Sequence, residues 1–202
     1  MVRPKKSEAI DIPHLAVQEA IRFLQEKETL ELSLSMLSAK IGCKPPALYN
    51  HFRGKDDLFR QVRLAVFQQQ IAAKKERYEG NVEDPLAALM EGGLAYLSFA
   101  EKHPALYRLL YCPGEKILSG DRDPIADNAL EILTSGIENC QKAGFATGMN
   151  AAKLASFLWS AVHGAALLAM DQIDQKDASE RWDIARNTVQ TSIRLLKQTT
   201  SS

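Results

Sequence analysis

Apolar residues recur along the chain at three- and four-residue intervals. Alternation with period two is absent over any useful length, so the sequence predicts helices and no sheet. Val17, Ala20, Ile21 and Leu24 mark a first apolar face, and Leu34, Leu37 and Ile41 a second, closed by Gly42. A short third helix starts at Pro45 and sets Leu48 and Phe52 four residues apart. A fourth begins near Lys55, with Leu58, Val62, Ala65 and Val66 on one side. Glu79, Gly80 and Asn81 interrupt the pattern. Asp84-Pro85 restarts it as a side-chain cap followed by proline at the first helical position, where the missing N–H has no helical partner anyway.

Leu86, Leu89, Met90, Gly93 and Leu97 form the next face. It ends at His103-Pro104, because a residue before proline disfavours helical angles. A short helix over 105–111 follows, then the longest loop, 112–123. Asp123-Pro124 opens a helix carrying Ile125, Ala129, Ile132, Leu133, Gly136, Ile137 and Cys140, closed by Gly144. An alanine-rich helix over 151–170 and a last one with Trp182, Ala185, Val189 and Leu196 complete about nine. The expected fold is all-α: a three-helix unit within residues 1–60 and a larger helical bundle over 61–202.

The segment Ala151–Met170 is long enough to cross a bilayer. Its Lys153, Ser156, Ser160 and His163, and its reliance on alanine, suit a helix enclosed by other helices instead. No membrane partner is expected.

Chemistry concentrates in Ser33–Leu58, SLSMLSAKIGCKPPALYNHFRGKDDL. A helix, a glycine-containing turn and a short helix make a helix-turn-helix layout, with the motif at about 33–52. Gly42 suits the left-handed conformation that ends a helix, and the tight corner fixes the second helix for entry into a major groove. Leu48 and Phe52 hold that helix from inside. Lys44, Tyr49, His51 and Lys55 surround it with groups that donate to phosphate oxygens, and the amides opening the fourth helix also favour an anion. Asn50 and Ala47 suit base edges, since Asn pairs with adenine and Ala meets a thymine methyl. His51 also reads as a histidine wedged between helices, and Lys55 as a solvated surface charge.

The run LYNHFRGKDDL resembles the aromatic-x-His-Phe-x-x-Lys-x-x-Leu pattern of the TetR family of transcriptional regulators. Its place near residue 50, ahead of a larger helical part, fits as well. EKHPALYRLLY (Glu101–Tyr111) and WSAVHG (Trp159–Gly164) resemble the C-terminal domain type named for a Trp-His-Gly signature. The resemblance implies a homodimer through the last two helices, bound to a palindromic double-stranded operator. It implies a repressor released by a small-molecule inducer, with no cofactor. The DNA-binding set it implies is Ser33, Ser35, Lys44, Pro45, Ala47, Leu48, Tyr49, Asn50, His51 and Lys55. Met90, Tyr96, Phe99, Tyr107, Trp159 and His163 are candidates for lining the ligand site, although aromatic and Met residues at helical spacing also read as core. His163 reads first as a packed, hydrogen-bonded histidine. Gly164 beside it suggests close approach of another helix, across a dimer seam.

The chain departs from the family pattern at four places. Glu28 stands where the first helix usually ends in Gly, and Ser38 replaces a customary Ala. Lys44 is a poor cap for the recognition helix, a loss of about 1 kcal/mol. Pro46, after Pro45, removes a backbone donor.

Composition adds limits. The 202 residues are 46% hydrophobic with zero formal net charge, which suits a folded protein of one domain, or one with a small attached module. Residues 1–60 carry 10 Lys/Arg against 8 Asp/Glu, so the first third is the better nucleic-acid binder. Arg3, Lys5 and Lys6 read as a soluble tail or as an arm along phosphates. Cys43, Cys112 and Cys140 show no CxxC pair, which speaks against a disulfide framework or zinc and for small buried apolar roles. The N-terminus lacks an apolar stretch, so a cytoplasmic location is expected. Nucleophile-elbow, HExxH, P-loop and Rossmann patterns are missing, and no enzyme is expected. The rival reading is a helical small-molecule-binding or protein-interaction module with a vestigial DNA-binding motif.

Overall fold

The computed structural model describes residues 11–79, 83–112, 124–171 and 177–198. Among them it holds nine helices and no strand. They are α1 (Ile12–Lys27), α2 (Leu34–Lys40), α3 (Pro45–Tyr49), α4 (Lys55–Glu79), α5 (Pro85–Lys102), α6 (Pro104–Tyr111), α7 (Pro124–Lys142), α8 (Ala151–Asp171) and α9 (Ala178–Gln198). Arg3, Lys5 and Lys6, and the loop beyond Cys112, lie outside the described residues.

Local chemistry explains most ends. Asp11 Oδ1 accepts the His14 amide at 3.1 Å and opens α1, and Asp84 Oδ1 does the same for Ala87 at 3.0 Å in α5. At the far end of α1, Glu28 sits at φ 51°, the left-handed region, with its amide bonded to the Leu24 carbonyl. A residue with a Cβ bears roughly 1 kcal/mol there that glycine avoids. The third helix is shorter than its apolar spacing suggests. It stops at Tyr49, and Phe52 follows in the turn, buried all the same.

The first core joins the two expected parts of the chain. Leu24, Leu37, Leu48 and Phe59 of α1–α4 pack in one cluster with Leu106 and Leu109 of α6. The long α4 runs across position 60 and joins both cores: Leu58, Phe59 and Val62 pack in the first cluster and Tyr78 in the second. The rest of the bundle packs α5, α7, α8 and α9 around Leu89, Ile137, Leu158 and Ile193, and around Tyr96, Tyr107, Trp182 and Val189. Helix α8 is apolar and long enough to cross a membrane, but here it packs on α5, α7 and α9. Of the cysteines, Cys140 is buried and Cys43 partly so. Cys112 is exposed, which corrects the expectation of a buried role.

Candidate nucleic-acid interface and ligand cavity

The recognition segment is built from its caps outward. Ser33 Oγ accepts the Met36 amide at 3.1 Å and starts α2. Gly42 takes φ +71° after it, and the Cys43 amide closes back on the Ser38 carbonyl at 3.0 Å, the wrap that satisfies a helix C-terminus. Ser38 itself is buried, and its hydroxyl donates to the Ser35 carbonyl at 2.9 Å, so the serine is provided for. Lys44 precedes α3 in extended conformation and makes no side-chain cap bond. Pro45 then occupies the first helical position.

This corner divides the candidate residues. Lys44, Pro45, Tyr49, Asn50 and His51 are exposed, as are Ser33, Ser35 and Lys55, while Ala47 is half-buried. Tyr49 is 56% exposed, which is unusual for a tyrosine and leaves its hydroxyl and ring edge open to a partner. Leu48 is corrected: it is 0% exposed and anchors α3 in the core, so it supports the contact surface without belonging to it. The start of α4 also differs from expectation. Asp57 Oδ2 already accepts the Arg53 amide at 3.0 Å, and Asp56 shares that first turn. The chain's own carboxylates thus occupy the end that favours an anion. Lys55 lays its ammonium 5.2 Å from the Phe59 ring centre, which keeps the charge at the surface.

The second feature is a cavity between α4, α5, α7, α8 and α9, with about 680 Å³ of space between atoms, open mouth included. Tyr96 and Trp159 line it. The other four candidates do not, and the reason is which neighbour covers each face. Met90 packs between the bundle's two core clusters, and the Phe99 ring lies tilted against that of His103, centres 5.7 Å apart. Tyr107 is completely buried, and His163 lies behind Tyr96.

Those two form a polar backing for the wall. The Tyr107 hydroxyl is 2.6 Å from His163 Nδ1 and the Tyr96 hydroxyl 2.9 Å from it. Trp159 Nε1 donates to the Tyr96 oxygen at 3.3 Å. Burial pushes the Tyr96 and Tyr107 phenols well up and pulls the His163 imidazole down. With the Tyr107 hydroxyl donating to the Tyr96 oxygen at 3.0 Å, the Tyr96 hydroxyl is the one left to donate to Nδ1.

Lys74 and Tyr78, both on α4, also line the cavity, and neither stands among the candidates drawn from the sequence. A signal for them exists: they continue the apolar stripe through Phe67 and Ile71 at helical spacing. Tyr78 owes its place to glycine, since a Cβ on Gly92 would sit 1.6 Å from its hydroxyl. Among the described residues no cluster of three metal-ligating side chains occurs.

Comparison with known proteins agrees with this arrangement. Residues 17–62 match the tetR family of bacterial regulatory proteins, and residues 89–187 match the tetracyclin repressor-like C-terminal domain. The chain is 30% identical over 162 residues to an uncharacterized HTH-type transcriptional regulator of Mycobacterium tuberculosis, covering 78% of this chain and 72% of the relative. A TetR-family transcriptional regulator from Pectobacterium atrosepticum shares the fold with a TM-score of 0.76 and 19% identity, over 98% of this chain and 100% of that one. SmeT, the repressor of the Stenotrophomonas maltophilia multidrug efflux pump SmeDEF, shares it with a TM-score of 0.68 and 14% identity, over 91% and 90%. With a helix-turn-helix of this form followed by this helical bundle, the chain belongs to the TetR family of bacterial regulators and is a DNA-binding transcriptional regulator, not an enzyme.

Proposed function

We propose that the protein is a cytoplasmic, homodimeric repressor released from a palindromic operator by a small molecule held in the cavity. The observation that carries this reading is the continuity between cavity and DNA-binding unit through α6. Tyr107 of α6 is bonded to the Tyr96 that lines the cavity, while Leu106 and Leu109 of the same helix pack into the core of α1–α4. A ligand that pushes on Tyr96 thus acts on the helix that seats the recognition segment. Residues 1–60 supply the DNA contacts and 61–202 the ligand site and dimer seam, with α4 shared between them.

Both ends of the molecule support a dimer. The five-residue α3 reads only a few base pairs, so useful affinity requires two half-sites about 34–36 Å apart. At the other end, α8 exposes Phe157 and Leu168, and α9 exposes Ile184 and Leu195. Each pair is eleven residues apart in the sequence, about three helical turns on one face. Gly164 lies on the α8 stripe. Among the described residues nothing comes within 4 Å of where a Cβ would stand on it, which leaves room for a partner helix.

Within the recognition segment, Tyr49→Ala and His51→Ala are each expected to weaken binding about tenfold. The loss should fall on all DNA sequences alike, because their contacts go to the backbone. Both side chains are exposed, so thermal stability should stay unchanged. Fluorescence anisotropy on operator and unrelated duplexes, across a salt series, measures this. A vestigial motif would show the same weak, shallow salt dependence in wild type and variants.

A further inference from the structure

We propose that the cavity takes an apolar molecule ending in one anionic group, a carboxylate, whose head is held by Lys74 Nζ. The proposal rests on the reading of the cavity as the ligand site and names the class of ligand. Among the described residues, Lys74 is the one charged side chain lining the cavity, and the lining has no aspartate or glutamate. Leu89, Ile132, Leu133, Leu158, Val162 and Ile193 make the rest of the wall predominantly apolar.

The ammonium is incompletely provided for. It has three N–H donors, and the described residues give it one acceptor, the Tyr111 hydroxyl at 3.3 Å. Its other neighbours are the ring faces of Tyr96 and Tyr111, with centres at 5.7 and 5.8 Å. These attract a cation but offer no lone pair to an N–H. The nearby charge that bears on it is Arg77, of the same sign. Burial and that repulsion pull the lysine down to about 8, which still leaves it largely protonated at neutral pH. A positive charge is thus held at an apolar cavity wall with no carboxylate of the lining to balance it, at a cost in solvation. A ligand carboxylate supplies the missing acceptor and the missing charge at once, and an alkyl or aryl body fills the apolar remainder. An alcohol of the same shape supplies only an acceptor, and an amine repels.

The test uses the full-length protein at pH 7 and straight-chain carboxylates from hexanoate to tetradecanoate, with the matching alcohols and amines. All are kept below their micelle concentrations, and affinity is read by calorimetry and by tryptophan fluorescence. The expected result is a carboxylate preferred at least about tenfold over its alcohol, with the amine weakest. Lys74→Met should bring the carboxylate down to the level of the alcohol and leave the alcohol unchanged. Lys74→Arg should keep the preference, which a purely structural role for the lysine would not produce. Equal affinity for acid and alcohol in the wild type, or a preference that survives in Lys74→Met, overturns the proposal while leaving the cavity as a ligand site. If no chain of any head group or length binds, the ligand reading falls with it.

Discussion

Replacing Phe157 with aspartate is expected to halve the sedimenting mass of the protein and to lower operator affinity by a factor of about a thousand or more. The side chain is 60% exposed on α8, so the folded subunit loses little by the change. A dimer through this face would bury it, because a two-fold axis brings the same patch together from both sides. An aspartate from each subunit would be desolvated in that apolar patch without a partner, a cost that removes the apolar gain of the whole stripe. A monomer keeps its helix-turn-helix but docks only one half-site. Specific binding then falls toward the non-specific level, which typically lies at least about a thousandfold weaker. Sedimentation velocity with a parallel operator titration checks both halves. A monomer that retained full operator affinity would separate dimerisation from DNA recognition and leave the α8–α9 face without a part in operator binding.

The second large effect is expected at Arg63. This residue of α4 is 5% exposed, and its guanidinium donates to the carbonyls of Leu109 and Leu110 at 2.8 to 3.1 Å. It therefore caps the C-terminal turn of α6 from α4, where helix carbonyls otherwise lack partners. Arg63→Met keeps most of the apolar stem and removes every donor. Stripping buried carbonyls of their partners is expected to destabilise the protein by about 3 kcal/mol, read as a lower midpoint in urea. The same change loosens the buried polar tie between α4 and α6. Ligand binding to Arg63→Met should therefore continue while ligand-driven release from the operator shrinks. Arg63→Lys retains a single donor group and should fall between the two. Arg108 of α6 pairs with Asp171 at the end of α8, so α6 stays docked on the bundle side in these variants.

Much of the fold is legible in the sequence because its signals are local. Asp84-Pro85, His103-Pro104 and Gly42 act through the backbone of their own turn, and each ends or starts a helix where the residues imply. Glu28 shows the limit of such rules: the left-handed residue is present, but without glycine to mark it. The recognition segment is equally readable, since exposure of Tyr49 and His51 follows from burying Leu48 and Phe52 on the opposite side. Leu48 cannot serve both the core and the DNA surface, and the core has the stronger claim on an apolar side chain.

The cavity is less readable for a physical reason. In a bundle, a helix such as α5 is covered on most sides, and periodicity shows that a face is buried without showing what buries it. Met90 and Phe99 meet core alone, whereas Tyr96 on the same helix also lines the cavity. Lys74 is visible in the sequence as a lysine on an apolar stripe. Its meaning depends on Tyr96 and Tyr111 arriving from α5 and α6, far away along the chain.

Two copies of the segment 45–49 are expected to enter the grooves of one duplex together. Hydroxyl-radical footprinting on DNA selected from a random library by the wild-type protein tests it directly. Two protected blocks related by two-fold symmetry are expected, with centres about 10 base pairs or a multiple apart. Both should fade together in Tyr49→Ala. A single asymmetric block, or a footprint unchanged by that substitution, would contradict this paired entry.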